Sequence, residues 1–300
     1  MGISRGWIKL FMMEGKREKF IGNMLTAGRQ DIFSTADNLY KWAKEMDYNL
    51  KRNMEVTFSD KKELQSDNFI SDNTFFSALG FDNIDSLDYS DFEQCTIVHD
   101  LNKDVPADLY NRYDLIYDGG TSEHVFNFPK VLENYNRMLK VGGRIIHALP
   151  SSNFVDHGFY MFSPTVFVDY YASNKWDIIN TFFIKHSFKN NKISIYSYEP
   201  SCFSRYSFGG FNKGMYEVFF VARKTDNSTF TASVQQGNYL RRWNISVQEK
   251  QVASNSTNSL LIKKISNLLP SKIRDKVRPY YCQLIFKLPL KNYLKFVAKY

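Results

Sequence analysis

The sequence predicts an α/β fold, a parallel sheet with helices on both faces. Three observations carry this expectation. Short β-rich apolar runs alternate with helical patterns from about Asn23 to Arg223, the way strand–helix–strand units read. Successive runs end in glycine or acid, where such strands turn. And 43% apolar and 16% aromatic residues in 300 give a chain able to build a large core.

The elements follow in order. Residues 7–20 read as a short helix and Asn23–Ala27 as a strand ending at Gly28-Arg29-Gln30. Residues 36–50 place Leu39, Trp42, Ala43 and Met46 at helical spacing. Residues 51–73 are polar and carry no clear pattern, and 74–79 read as a helix end stopped by Gly80. Three strands follow: Asn83–Leu87 ending at Asp88, Cys95–Val98 ending at His99-Asp100, and Tyr113–Tyr117 ending at Asp118-Gly119-Gly120. A helix over about 127–139 presents Phe128, Val131, Leu132, Tyr135 and Met138 on one face. Arg144–Leu149 is the next strand. Ser163-Pro164 opens a helix, with serine as cap and proline just inside. Trp176–Ile184 and Tyr216–Ala222 are two further strands.

Beyond Arg223 the composition changes. Residues 224–260 are rich in Ser, Thr, Asn and Gln and read as a polar linker. Residues 261–300 carry ten Lys or Arg against one acid, Asp275, and interleave them with Leu, Ile, Phe and Tyr. The formal charge of +8 therefore belongs to the tail, while the rest of the chain is close to neutral. A neutral main domain argues against a nucleic-acid partner, which needs clustered cations at the contact. Three scattered cysteines suggest neither a disulfide framework nor a zinc site. No apolar leader and no long apolar run are evident, so the expected compartment is the cytoplasm. The sequence shows no HExxH, no His/Cys cluster, no phosphate loop and no GxSxG, so no metal is expected.

In an open parallel sheet the ligand lies outside the carboxyl ends of the strands. An acid ending the second strand can take the hydroxyls of a ribose, and a glycine ending the first lets backbone approach a ligand. The alternative is that these strand-end acids are turn formers.

The order of these elements resembles the class I S-adenosylmethionine-dependent methyltransferases. The run YDLIYDGGTSEHVFNFPKVLENYNRMLKVGGRIIHALPSS resembles that family's fourth strand, helix and fifth strand. WDIINTFFI and YEVFFVA resemble its last two strands. SLDYSDFEQCTIVHDLN, DGGTSEHVFN and DHGFYMFSP are similar to a bacterial subgroup associated with surface-polysaccharide and secondary-metabolite biosynthesis. The resemblance implies a Rossmann-like, doubly wound, mostly parallel seven-stranded sheet over residues 1–223, with a basic C-terminal extension. It implies S-adenosylmethionine as cofactor, with Asp88 on the ribose and Asp100 and the Leu101 backbone facing the adenine. Asp118, Gly119 and Gly120 would line the methionine side, and Gly28 would lie under the cofactor. One feature departs from the family. The first loop reads LTAGRQDIF, a single glycine followed by Arg29, and Asp88 follows some 60 residues later. Arg29 could pair with the methionine carboxylate or with an acid of the chain.

Methyl transfer to a hydroxyl needs a base, and histidine is the usual one. His124, after the fourth strand, and His157, after the fifth, are the candidates; the alternative for each is to orient its loop by hydrogen bonds. Glu123 is a candidate anchor for that loop or for the cofactor. His147 lies within a strand and reads as a satisfied core residue. Asn153, Tyr160 and Phe162 are expected to line the acceptor pocket, suited to a sugar ring or planar acceptor. The aromatic stretch 196–220 could cover that pocket or fill the core. The expected partner is a small-molecule or glycan acceptor. The tail could lie on an anionic membrane surface at the inner face, or be a solvated or partner-packed extension. The competing reading of the whole chain is a catalytically inactive binding module in a glycan-assembly pathway.

Overall fold

The fold is given by a computed structural model, which describes residues 2–51, 54–187, 192–200, 202, 214–248 and 294–300. Among these residues one sheet holds nine strands. They are β1 (Asn23–Ala27), β2 (Asn83–Asp88), β3 (Ile97–Val98), β4 (Tyr113–Asp118), β5 (Leu139–Ser152), β6 (Asp177–Ser187), β7 (Lys192–Ser197), β8 (Tyr216–Arg223) and β9 (Lys295–Lys299). The helices are α1 (Arg5–Arg17), α2 (Ala36–Glu45), α3 (Lys62–Ser66), α4 (Asp72–Leu79), α5 (Phe128–Met138), α6 (Pro164–Ser173) and α7 (Gly237–Gln248).

The strand order is β3-β2-β1-β4-β5-β8-β6-β7-β9. The first five run parallel. β8 enters antiparallel between β5 and β6, and β7 and β9 extend the sheet as further antiparallel neighbours. The Rossmann-like, doubly wound architecture is thus present, but with nine strands rather than seven, and half of the neighbouring pairs are antiparallel. The two added strands are short: β7 alternates as KISIYS and buries Ile193 and Ile195, whereas β9 is largely exposed. β7 opens with Lys192, and β9 lies at the end of the basic tail. Phe296 is exposed, and just past β9 the Tyr300 backbone exchanges two hydrogen bonds with Ile193.

Alternation along the strands divides the core into two faces. Leu115 and Tyr117 of β4, Ile146 of β5 and Phe219 of β8 pack with Trp7, Phe11, Phe75 and Phe76 from α1 and α4. Ile116, Ile145 and Phe220 point the other way, onto Val131, Tyr135, Phe167 and Tyr171 of α5 and α6. Each such fully buried ring contributes about 1.5–3 kcal/mol. Caps set the helix starts where the sequence placed them: Ser163 Oγ accepts from Thr165 N, with Pro164 next. The chain passes from β1 outward to β2 and β3, then crosses to β4 on the opposite side. This reversal opens a crevice at the carboxyl ends of β1 and β4.

The segment read as a linker differs from that expectation. The Thr229 carbonyl accepts from Trp176 Nε1 and Asn136 Nδ2, and the Gly237 amide donates to Asp169, so residues 225–237 are bonded onto α5 and α6. Residues 237–248 then form α7. Of the basic tail, residues 261–293 lie outside the described residues. No described helix is long and apolar enough to cross a membrane.

Charge is buried at one place that ties α1 to the sheet. Glu14, 1% exposed, accepts from Asn180 Nδ2 at 2.9 Å and pairs with Arg17 and with buried Arg144. Arg144 also donates to the Glu18 and Lys19 carbonyls. Removing one member of a buried ion pair strands the other. Glu14→Ala is expected to cost about 3–5 kcal/mol in urea unfolding. The control Glu63→Ala, on exposed α3, should stay within about 0.5 kcal/mol.

Candidate active site

The floor of the crevice is built at the ends of β1, β2 and β4. Gly28 follows β1 with φ +72°, and its amide donates to the Leu87 carbonyl at 2.8 Å. A Cβ there would lie 2.9 Å from Thr121 Oγ1 and 3.6 Å from Asp88 Oδ2. Only glycine therefore leaves the space between the three strand ends open. Thr121, which the sequence reading missed, donates its hydroxyl to the Ala27 carbonyl at 2.7 Å and braces the β1 and β4 ends together. Asp88 is half-buried. Its Oδ1 accepts from the Tyr89 amide, leaving Oδ2 turned toward Gly28.

Arg29 is committed within the chain. Its Nε and Nη2 grip both oxygens of Asp72 at 2.8 and 2.9 Å, a bidentate pair, and Nη2 also reaches Asp60. The Gln30 amide adds a bond to Asp72 at 3.2 Å. Of the two sequence expectations for Arg29, the structure forms the ion pair with an acid of the chain. The long gap before β2 now has a role: α4 supplies Asp72, at 5% exposed, as the post to which the first loop is tied.

The five remaining expected cofactor residues also serve the fold. Asp118 is fully buried. It accepts from Ser122 Oγ at 2.6 Å and Ser122 N at 3.2 Å, and His147 Nδ1 donates to it at 2.8 Å. That leaves His147 Nε2 to accept from the Tyr171 hydroxyl at 2.7 Å. Asp118 therefore organises the turn after β4 from within the core, rather than lining a methionine side. His147 is the satisfied core residue expected of it. The Gly119 position is filled from behind by the Tyr117 ring, and Gly120, at φ +94°, makes the turn. Asp100 spends its carboxylate on Asn102 N and Nδ2 of its own turn, and these bonds hold it below the usual carboxylate range. Leu101 is a core side chain whose carbonyl accepts from Asn134.

His124 and His157 come together. Their rings are 5.1 Å apart, and both approach the Glu123 carboxyl group. His157 Nε2 is 3.5 Å and His124 Nε2 3.8 Å from Glu123 Oε1. Glu123 is 0% exposed, and neither carboxylate oxygen accepts a hydrogen bond from any described residue. Burial, reinforced by the Asp118 charge, pushes its carboxyl up to about 8. Burial and the neighbouring His157 push His124 below the usual imidazole value. Glu123 does anchor the loop after β5, as the sequence suggested, but through its backbone: its carbonyl accepts from Phe159 N at 2.8 Å and Tyr160 N at 3.2 Å. The three ligand atoms lie within 4.8 Å of one another, so the cluster could hold a metal ion. No sequence spacing signals this, because the members come from two loops.

Of the expected acceptor residues, Asn153 is exposed at φ +66° and donates Nδ2 to the Gly214 carbonyl. Tyr160 is half-buried, donates its hydroxyl to the Phe126 carbonyl and stacks on Phe162. Phe162 departs from expectation: at 4% exposed it packs against Phe128 and Phe167 and offers no ring to a pocket. The exposed aromatic faces nearby are Phe126 and Phe159, an edge-to-face pair 5.7 Å apart. Of the aromatic stretch 196–220, residues 201 and 203–213 lie outside the described residues, whereas Tyr198, Tyr216, Phe219 and Phe220 are core.

No family model matches the chain. No curated protein matches it. Solved structures do. The phosphoethanolamine N-methyltransferase 2 of Haemonchus contortus, in complex with S-adenosylmethionine, is similar at 10% identity. That match covers 73% of this chain and 52% of that one, with a TM-score of 0.37. A putative S-adenosylmethionine-dependent methyltransferase of Methanococcus maripaludis is similar at 12% identity over 73% of this chain and 85% of that one, TM-score 0.35. A protein described for converting a disulfide bond into a thioacetal group during echinomycin biosynthesis is similar at 11% identity over 80% and 88%, TM-score 0.35.

The Arg29–Asp72 pair makes a stability prediction. Arg29→Met leaves Asp72 buried without its partner and should cost about 2–4 kcal/mol. In urea unfolding the double variant Arg29→Met/Asp72→Leu should recover most of that loss, because no buried charge is then stranded.

Proposed function

We propose that this chain is an S-adenosylmethionine-dependent methyltransferase, directed to a hydroxyl of a sugar or small metabolite in a surface-glycan pathway and acting in the cytoplasm. The observation that carries the reading is the cradle of Gly28, Asp88 and Thr121 at the strand-order reversal. A Cβ at Gly28 would fill it, and a carboxylate oxygen faces into it. That donor set suits a ribose: a carboxylate can take two hydroxyls, and a bare backbone admits the chain beside them. Gly28 and Asp88 would hold the cofactor. When bound, it supplies an electrophilic methyl group.

The remaining work falls to the turn after β4 and the loop after β5. Their joint surface carries two imidazoles and two exposed rings, Phe126 and Phe159. Aromatic faces with nearby polar groups suit the apolar face of a sugar ring. A hydroxyl must shed its proton as it is methylated, and a neutral imidazole accepts one. His124, held below its usual value, is neutral at pH 7 and able to do so at a ring nitrogen. The basic residues between 261 and 300 support a resting place on an anionic lipid surface, where lipid-linked acceptors would be met.

The alternative of a binding module without catalysis draws on the internal engagement of Arg29, Asp100 and Asp118. Calorimetric titration with S-adenosylmethionine and S-adenosylhomocysteine separates the two readings. The expected result is micromolar binding that weakens at least about tenfold in Asp88→Ala and is lost in Gly28→Val. No binding at millimolar cofactor, or binding unchanged in Asp88→Ala, would overturn the reading.

A further inference from the structure

A carboxylate that is wholly buried and accepts no hydrogen bond is costly, and native folds rarely keep one without a use for it. Glu123 is such a group, and what faces it is a pair of imidazoles. Around an ion with bonds of about 2.1 Å, tetrahedral ligand atoms sit about 3.4 Å apart. The observed separations of 3.5 and 3.8 Å from Glu123 Oε1 are close to that spacing. Both imidazoles are partly open to solvent, at 48% and 40% exposed, so the outer side of the cluster is accessible.

We propose that Glu123, His124 and His157 form a binding site for one divalent transition-metal ion, of the zinc, cobalt or iron(II) class, with a coordination position left open toward the crevice. Two imidazoles and one carboxylate favour such ions over magnesium and calcium, which prefer oxygen. The surroundings hold the donors in place. The amides of Phe159 and Tyr160 bind the Glu123 carbonyl, which fixes the His157 loop against the Glu123 turn. A Cβ at Gly158 would lie 2.9 Å from the Glu123 carbonyl oxygen and 3.1 Å from His124 Nδ1, so only glycine allows this approach. The charge of buried Asp118 acts on Glu123, and a cation at the site would offset it.

The site rests on these residues alone; its use rests on the proposed methyl transfer. With the ion in place the imidazoles serve as ligands. An acceptor hydroxyl on the open position then becomes more acidic and releases its proton to water.

The test uses the full chain, stripped with chelator and titrated with cobalt(II) followed by visible absorption, and with zinc(II) by calorimetry. One equivalent should bind with a Kd of about 10 μM or tighter, and millimolar magnesium should not displace it. Glu123→Gln and His157→Ala should each weaken binding by at least about tenfold. Their thermal midpoints in chelator report whether each variant folds, and exposed His157 is the one least coupled to the core. Absence of saturable binding by about 100 μM metal, or binding unchanged in both variants, would overturn the site. Titration of the stripped protein with S-adenosylmethionine keeps this outcome separate from failure of the methyltransferase reading.

Discussion

A sheet covered on both faces leaves no room for unpaired polarity, and this constraint orders the rest of the molecule. Along the middle of β4, β5 and β8 the apolar side chains alternate between two apolar layers. A polar group inside either layer must be satisfied there or the strand is lost. Asp118 meets the condition through Ser122 and His147, and His147 in turn through Tyr171. Lys224 meets it by donating to the Asn136 and Leu139 carbonyls at the end of α5, where a cation also suits the helix dipole. Chemistry is therefore displaced to the strand ends, where the layers stop.

The same constraint explains why several acids at those ends serve structure. Asp118 sits one step too deep and is absorbed by the core. Asp100 is shallow enough to be taken by its own turn. Asp88 lies between these depths. Its backbone is held by β3, with His99 N bonded to its carbonyl, while one carboxylate oxygen remains turned to Gly28. Arg29 shows a related trade. A glycine-rich turn would need no support, whereas LTAGRQ is held by an arginine tied to Asp72 of α4. The long insertion between β1 and β2 is what brings that acid to the loop.

This depth dependence marks what could be read from the sequence. The sequence located β1, β2, β4 and α5 by apolar runs and helical spacing, and α6 by the Ser163-Pro164 cap, each to within a residue or two. It also marked His147 as a core residue, since an alternating strand leaves it no other place. It did not reveal β7, β9 or α7. β7 is a six-residue strand that buries only Ile193 and Ile195, β9 is ordered by pairing at the sheet edge, and the start of α7 is held by Gly237 N bonded to Asp169. Nor could it tell Asp118 from Asp88. Both end strands before a turn, and only the partner across the sheet, His147 for one and Gly28 for the other, decides their roles. Phe162 was misplaced for the same reason: its neighbours Phe128 and Phe167 come from two separate helices.

Glu123 is one of several described residues with a buried polar atom that makes no hydrogen bond, and both of its carboxyl oxygens are in that state. It lies one residue past Ser122, whose bonds to Asp118 fix the backbone of the turn. Its carbonyl is the anchor for the loop carrying His157, which adds a second restraint. That loop already accommodates positive φ at Asn153 and Asp156, a conformation costing non-glycine residues energy. Two loops from adjacent strands thus meet around a buried carboxyl group that accepts no hydrogen bond. A cation bound by all three side chains would remove the penalty at Glu123 and join the loops directly. Glu123 is enclosed by the core, while His124 and His157 stand partly exposed on the two loops that its carbonyl joins.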